Sequence, residues 1–268
     1  MNNDSQFGIK VQYYCDGTPP DVPCREENFK RRHLQFELPL QSCALVVVDP
    51  WDRHHIESWL ERAGRVMSEF VVPTMTAARA AGMTIVIAPS PEVIHNHARW
   101  RERVYPKGVV EPPISAREPD WPPPDFRRRE GQYHGFRNPR SQPPGIDTFW
   151  KGTAEQLDIS PVIDVQDTDV LVATGDQLHA QLRERNILHL FYCGFATNWC
   201  VLGRDYGVAA MTGRGYNPII LREATEGVEF PDTLSQRWAT EIAIREVEQR
   251  HGFSAATSDF IAACDGLR

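Results

Sequence analysis

The chain has 268 residues, which suits one large α/β domain with a sizeable insertion, or at most two small domains. Hydrophobic residues make up 41% of it and charged residues 24%, which excludes a largely disordered protein. The formal net charge of −7 provides no overall attraction to nucleic acid or to an anionic membrane, so we expect neither as a partner.

The first 40 residues are polar and contain a turn signal, Gly17-Thr18-Pro19-Pro20, which predicts an N-terminal arm over residues 1–40. Residues 1–10 lack the basic start and apolar run of a secretory signal, and no apolar run reaches the ~18 residues of a membrane span. The six cysteines form no CxxC pair and are predicted to be reduced thiols. These features predict a cytoplasmic protein.

The main domain, residues 41–268, begins with a continuous apolar run at 44–48 that ends at Asp49. Such a run is typical of a strand buried on both faces of a parallel sheet. Residues 57–81 have helical spacing, with a bend or break expected at Pro73 and an end at Gly82. A strand at 84–88 completes a βαβ unit.

Residues 91–150 interrupt this alternation of strands and helices and are predicted to be an insertion. Ten prolines fall between Pro106 and Pro144, with aromatic residues and arginines among them. The aromatic content favours an extended segment that packs over the functional face of the domain or on a partner subunit. A surface loop is the alternative.

Strand and helix signals alternate again after the insertion. The predicted strands are residues 169–172, 187–193, 218–221 and, at the sheet edge, 253–256; the predicted helices are 176–185, 197–212 and 234–250. This alternation predicts an α/β fold of three layers, a mostly parallel sheet with helices on both faces.

Two polar features lie where predicted parallel strands end, which is the edge at which such sheets bind ligands. Asp49 follows one strand, and the turn 194–201 follows another. Thr197 can cap the next helix, which places Cys200 in its first turn, where free N–H groups and the helix dipole favour a thiolate. Asp49 is the candidate base. Each residue also has a purely structural interpretation. The cysteine could be a small buried hydrophobic residue, and the aspartate could be a turn residue.

The segment G-F-A-T-N-W-C-V-L-G-R, residues 194–204, together with the strand that ends in aspartate, resembles the isochorismatase-like cysteine hydrolases. That family includes nicotinamidases, N-carbamoylsarcosine amidohydrolase and biuret hydrolase, and the resemblance covers residues 44–90 and 169–257. It implies that Asp49 is the general base and Cys200 the nucleophile. It further implies a cis peptide between Phe195 and Ala196, with the N–H groups of Ala196 and Cys200 forming the oxyanion hole. Cys193 is assigned to the core.

The chain departs from the family pattern at the third catalytic residue, a lysine some 30–40 residues before the cysteine. No lysine lies between residues 160 and 211. Lys151, Lys107, an arginine or His54 could replace it. The alternative for the two lysines is that both are solvated surface residues.

A second departure concerns metal. Nicotinamidases bind a divalent ion through Asp and His residues, but this chain has A-P-S-P at 88–91 where D-x-H would be expected. The pairs His54–His55 and His95–His97 are weak evidence of a site, and we expect exposed histidines and no metal.

These observations predict a cysteine-dependent hydrolase of a small amide, carbamoyl or related C–N substrate that works without an organic cofactor. The alternative is a non-catalytic relative that binds a small ligand or a partner subunit, for which the absent lysine is the main support. The candidate pocket residues are Trp51, Asp52, Asn198 and Trp199. Family resemblance also implies a homo-oligomer.

Overall fold

The computed structural model describes residues 6–102, 121–136 and 146–267. Within them, one eight-stranded sheet has the order β2-β1-β8-β7-β6-β3-β4-β5. The strands are β1 Gln6–Tyr14, β2 Arg31–Pro39, β3 Cys43–Val48, β4 Thr84–Ala88, β5 Val170–Leu171, β6 His189–Phe195, β7 Asn217–Glu226 and β8 Phe253–Ala255. The six strands from β3 to β8 pair in parallel, as the sequence predicts.

Helices cover both faces of the sheet. They are α1 Glu57–Val66, α2 Val72–Ala81, α3 Pro91–Ile94, α4 Ala98–Glu102, α5 Pro124–Arg128, α6 Ile146–Thr153, α7 Gly175–Glu184, α8 Val208–Gly213, α9 Trp238–Glu246 and α10 Thr257–Asp265. Strand β3 contributes Leu45 and Val47 to the core on one face, and Ala44, Val46 and Val48 to the core on the other. Because side chains alternate across a strand, both faces of the central strand are buried. The predicted three-layer α/β fold is confirmed.

The first helical segment divides where the sequence indicates. A π-helical turn, Met67–Val71, separates α1 from α2, and Pro73 lies in the first turn of α2, directly after it. Gly82 ends α2 in the left-handed conformation, with φ of 84°.

The segment predicted as an N-terminal arm is instead an antiparallel β-hairpin that joins the sheet. Strand β1 pairs with β2 along its whole length and meets β8 on its other side. Phe7, Ile9 and Val11 alternate along β1 and enter the core. The prediction that β8 lies at the sheet edge is therefore wrong, because the hairpin covers it.

Much of the proline-rich stretch lies outside the described residues, which resume with a short piece at 121–136. There Phe126 packs against Tyr133 at 5.1 Å between ring centroids, and the guanidinium of Arg129 lies over the Phe126 ring. Trp121 and Phe136 are exposed. Across the described ranges, no helix is both long and apolar enough to cross a membrane.

Candidate active site

Asp49 is held in a strained conformation at the end of β3. Its φ is +42°, in the left-handed region that side chains other than glycine rarely adopt. The side chain is almost fully buried, and its Oδ1 accepts a hydrogen bond of 3.0 Å from the hydroxyl of Tyr206. The backbone N–H of Asp49 donates to the carbonyl of Ala88 on the neighbouring strand. The carboxylate is thus fixed at the carboxyl edge of the sheet.

Gly194 lets the cysteine-bearing turn approach this carboxylate. It has φ of +103°, and a Cβ atom there would lie 2.1 Å from the carbonyl oxygen of Val48. Only glycine allows β6 to end so close to the end of β3. The chain then passes through a cis peptide between Phe195 and Ala196 into a π-helical turn, Thr197–Val201, that carries Cys200.

Thr197 does not cap this turn, contrary to the prediction. Ala196 is the N-cap residue, and no side chain caps the turn. The hydroxyl of Thr197 is buried and instead hydrogen-bonds that of Thr225 on β7 at 2.7 Å, while Thr225 donates to the carbonyl of Gly194. These bonds tie the turn to the adjacent strand.

The predicted helix over residues 197–212 is broken between Gly203 and Gly207. A Cβ atom on Gly207 would lie 2.9 Å from the carbonyl oxygen of Cys200, so glycine allows the chain to fold back tightly here. The break points Tyr206 at Asp49, and the hydroxyl of Tyr192 donates to the Tyr206 carbonyl at 2.9 Å. The next helix, α8, starts only after this turn.

Cys200 and Asp49 form an interacting pair. Burial raises the pKa of the Asp49 carboxyl to about 6, while its contact with the Cys200 thiol and the nearby Arg204 and Tyr206 oppose that shift. Burial and then the Asp49 charge raise the pKa of the Cys200 thiol to about 12. Near neutral pH the pair therefore consists of a carboxylate and a thiol. The thiolate expected from the helix start alone is not favoured, because burial and the neighbouring Asp49 charge both raise the pKa of the thiol.

Arg204 is the basic side chain that the structure places beside this pair. Its Nε lies 3.7 Å from Oδ2 of Asp49, and the guanidinium also interacts with the Cys200 thiol. From the sequence, an arginine of unspecified position was one alternative to the lysine, and Tyr206 was not singled out. The spacing of four residues between Cys200 and Arg204 was the available signal, because residues i and i+4 share a helix face.

The predicted lysine substitutes do not supply this charge in the described residues. Lys151 is exposed on α6, and Lys107 lies outside the described residues. His54 is buried, and that burial, with His55 beside it, lowers its pKa to about 4, so it is neutral at physiological pH. Its Nδ1 accepts a hydrogen bond from the N–H of Ile56.

His54 is instead the centre of an aromatic cluster at the same edge of the sheet. Its ring lies 4.3 to 6.5 Å, between centroids, from five other aromatic rings, those of Trp51, His55, Trp59, Trp150 and Trp199. Trp199 precedes the cysteine and is 44% exposed, and Trp51 follows Asp49 by two residues. The cluster therefore provides an apolar wall beside the reacting pair.

The two polar residues predicted to line a pocket both hydrogen-bond the backbone of other segments. Both amide atoms of Asn198 hydrogen-bond the backbone of Val228, at 2.9 and 3.0 Å. Asp52 accepts from the N–H of Asp158 and donates its own N–H to the carbonyl of that residue. Cys193 is fully buried in β6, in the core position assigned to it.

The histidine pairs do not assemble a metal site in the described residues. His54 and His55 stack within the aromatic cluster, and Nδ1 of His97 pairs with Asp158 at 2.8 Å. No group of three or more His, Cys, Asp or Glu residues in the described ranges is arranged to hold a metal ion. The divalent ion of the nicotinamidases therefore has no fitting ligand set in these ranges.

The fold is similar to that of a solved structure of another protein. The solved structure of a cysteine hydrolase from Pseudomonas syringae pv. phaseolicola 1448A is similar, with a TM-score of 0.53, 15% identity, and 86% of this chain and 96% of that chain covered. An isochorismatase family protein from Burkholderia thailandensis has a TM-score of 0.48 and 20% identity over 84% of this chain and 96% of its own. A nicotinamidase from Staphylococcus aureus has a TM-score of 0.41 and 14% identity, with 78% of this chain and 96% of the nicotinamidase chain covered.

Sequence comparison gives the assignment to a family. No curated protein matches the chain. A family model described as the isochorismatase domain matches residues 43–250, which is most of the chain and includes both Asp49 and Cys200. The chain therefore belongs to the isochorismatase family of hydrolases.

Proposed function

We propose that this protein is a cysteine-dependent hydrolase of a small amide, carbamoyl or related C–N compound. The observation that supports it most is the contact between the Asp49 carboxylate and the Cys200 thiol, which come from distant parts of the chain to one edge of the sheet. A carboxyl whose pKa is near 6 is mostly ionised at neutral pH, yet basic enough to accept a proton in a transition state.

In the proposed reaction, Asp49 removes the thiol proton as the sulfur of Cys200 attacks the substrate carbonyl carbon. The C–S bond forms, and the carbonyl electron pair moves to oxygen, where the N–H groups of Ala196 and Cys200 stabilise it. Asp49 returns the proton to the departing nitrogen as the C–N bond breaks, which leaves a thioester. Water then attacks the thioester with Asp49 as base, and the acid and the free thiol are released.

The test is ammonia release from a panel of small primary amides and carbamoyl compounds, measured for the wild type and for Cys200→Ala. We expect the variant to lose at least about a thousandfold in kcat/KM, because the nucleophile is removed. Cys15→Ala is the matched control, since Cys15 is also a free, half-buried cysteine. Wild-type turnover by Cys200→Ala would reject the nucleophile assignment.

The alternative, a binding-only relative, predicts a different result. Its main support was the absent lysine, and the position of Arg204 beside the reacting pair weakens that support. A binding-only protein would release no ammonia from any compound of the panel, and its Cys200 would react with iodoacetamide as an ordinary thiol, with a pKa of about 8.5.

A further inference from the structure

The reacting pair needs a positive charge, because the proposed reaction creates a sulfur anion beside a buried carboxyl group. Oδ2 of Asp49 is buried and has no hydrogen-bond partner among the described residues, and Cys200 is half-buried. An anion in such surroundings is costly unless a cation or a hydrogen-bond donor compensates it.

Lysine does not meet this need in the described part of the chain. Lys10 and Lys30 are exposed in the N-terminal region, Lys151 is exposed on α6, and Lys107 lies outside the described residues. His54 is neutral, as described above.

Arg204 has the required position. Its backbone N–H donates to the Cys200 carbonyl at 3.1 Å, so the two side chains leave the same turn, and its Nε lies 3.7 Å from Oδ2 of Asp49. Nε is buried and has no hydrogen-bond partner among the described residues, so it is available to donate to a sulfur anion when one forms.

The backbone around Arg204 is held by groups other than its own side chain. Oδ2 of Asp205 accepts a hydrogen bond of 2.8 Å from the N–H of Gly175, the Tyr206 carbonyl accepts from Tyr192, and the N–H of Gly207 donates to the Arg204 carbonyl. The guanidinium is therefore not needed to form the turn. Its electrostatic interactions are with Asp49, Cys200 and Tyr206.

We propose that Arg204 is the cationic member of the active site, a permanent positive charge that orients the Asp49 carboxylate and stabilises the Cys200 sulfur anion as it forms. This inference rests on the proposed function. Because a guanidinium keeps its proton under all ordinary conditions, Arg204 does not take part in proton transfer. The proton that the leaving nitrogen needs must come from Asp49.

The test is the pH dependence of Cys200 alkylation by iodoacetamide, with the labelled residue identified by peptide mass spectrometry. Asp49 accepts the thiol proton as the sulfur reacts, so the wild-type rate should rise as the Asp49 carboxyl loses its proton near pH 6. Arg204→Met should move this rise upward by about one pH unit and lower the plateau about tenfold, because the anionic pair loses its cation. Arg204→Lys should stay within about threefold of the wild type.

Arg214→Met is the matched control, because Arg214 is equally exposed, at 34% of its side chain, and forms an ion pair with Asp176 away from the site. It should behave as wild type. Unfolding midpoints of all variants separate a loss of charge from a loss of fold. The proposal is overturned if Arg204→Met labels Cys200 with the wild-type profile, or if Arg204→Lys is as impaired as Arg204→Met.

The two proposals fail in different experiments. Ammonia release by Cys200→Ala would reject the cysteine mechanism and leave the alkylation result for Arg204 unchanged. An unshifted alkylation profile in Arg204→Met would reject the role of Arg204 and leave the loss of turnover in Cys200→Ala unchanged.

Discussion

At the scale of single residues, the ionisation of Asp49 depends on opposing contacts. Burial disfavours the carboxylate, whereas the thiol of Cys200, the guanidinium of Arg204 and the hydroxyl of Tyr206 favour it. The resulting pKa of about 6 is above the ordinary value, so the base is lost as the pH falls through 6 and is fully present above it. The proposed reaction should therefore have an acidic limb near pH 6.

Removing the Tyr206 hydroxyl tests this balance. In Tyr206→Phe, Oδ1 of Asp49 loses a hydrogen bond that favours the carboxylate, so the rise in Cys200 alkylation should move upward by about half a pH unit to one unit. Tyr216→Phe is the control, because the half-buried Tyr216 hydroxyl hydrogen-bonds His179 and not Asp49. An unchanged or lower midpoint in Tyr206→Phe would contradict the assigned contact.

Asp49 and Cys200 could be proposed from the sequence, but their environment could not. The strand-end aspartate and the cysteine turn are local patterns, visible in residues 44–49 and 194–201. The role of Tyr206 depends on where the chain turns back after Gly203, which helical periodicity does not encode. The neutral state of His54 likewise depends on burial by residues distant in sequence.

At the scale of elements, the close approach of β3 and β6 brings the two halves of the site together. The predicted strand at 44–48 covers all of β3 except Cys43, whereas the strand predicted at 187–193 continues to Phe195 in β6. The strained bend at Gly194 belongs to this extension, and it was not predicted because its cause is a contact with Val48 on another strand.

Replacing Gly194 should damage both stability and reactivity. In Gly194→Ala the new Cβ would overlap the Val48 carbonyl in a backbone conformation that alanine rarely adopts, so we expect a loss of at least about 2 kcal/mol in unfolding free energy. The Cys200 alkylation rate at pH 7 should fall as the turn moves away from Asp49. Urea unfolding and alkylation measure the two effects.

Gly213→Ala is the control for this prediction. Gly213 lies at the end of α8, and a Cβ atom there would meet nothing within 4 Å. The change should be neutral or slightly stabilising, because alanine favours helix. Equal stability of the two variants would mean that the contact between the ends of β3 and β6 is not tight.

At the scale of the whole molecule, the N-terminal hairpin is an integral part of the domain. The predicted arm was inferred from polar composition and a turn signal, and β2 is indeed mostly exposed. The alternation of Phe7, Ile9 and Val11 was the signal for a half-buried strand. A short alternation in a polar segment does not by itself predict a strand of the sheet, because the partner strand and the core that it packs on lie elsewhere in the chain.

Phe7 connects this hairpin to the central core, so its removal should destabilise the whole molecule without altering the site. Its ring is fully buried and packs at 5.4 Å, between centroids, against both Phe191 of β6 and Phe260 of α10. Phe7→Ala should lower the unfolding free energy by about 3 to 5 kcal/mol, measured by urea denaturation, because it leaves a cavity among these rings. Leu34→Ala, on the exposed side of β2, should lower the unfolding free energy by less than about 1 kcal/mol. If Phe7→Ala lowered it no more than Leu34→Ala does, the hairpin would not contribute to the stability of the domain. While the variant is folded, its Cys200 alkylation profile should match the wild type, since the reacting pair lies beyond the carboxyl ends of β3 and β6.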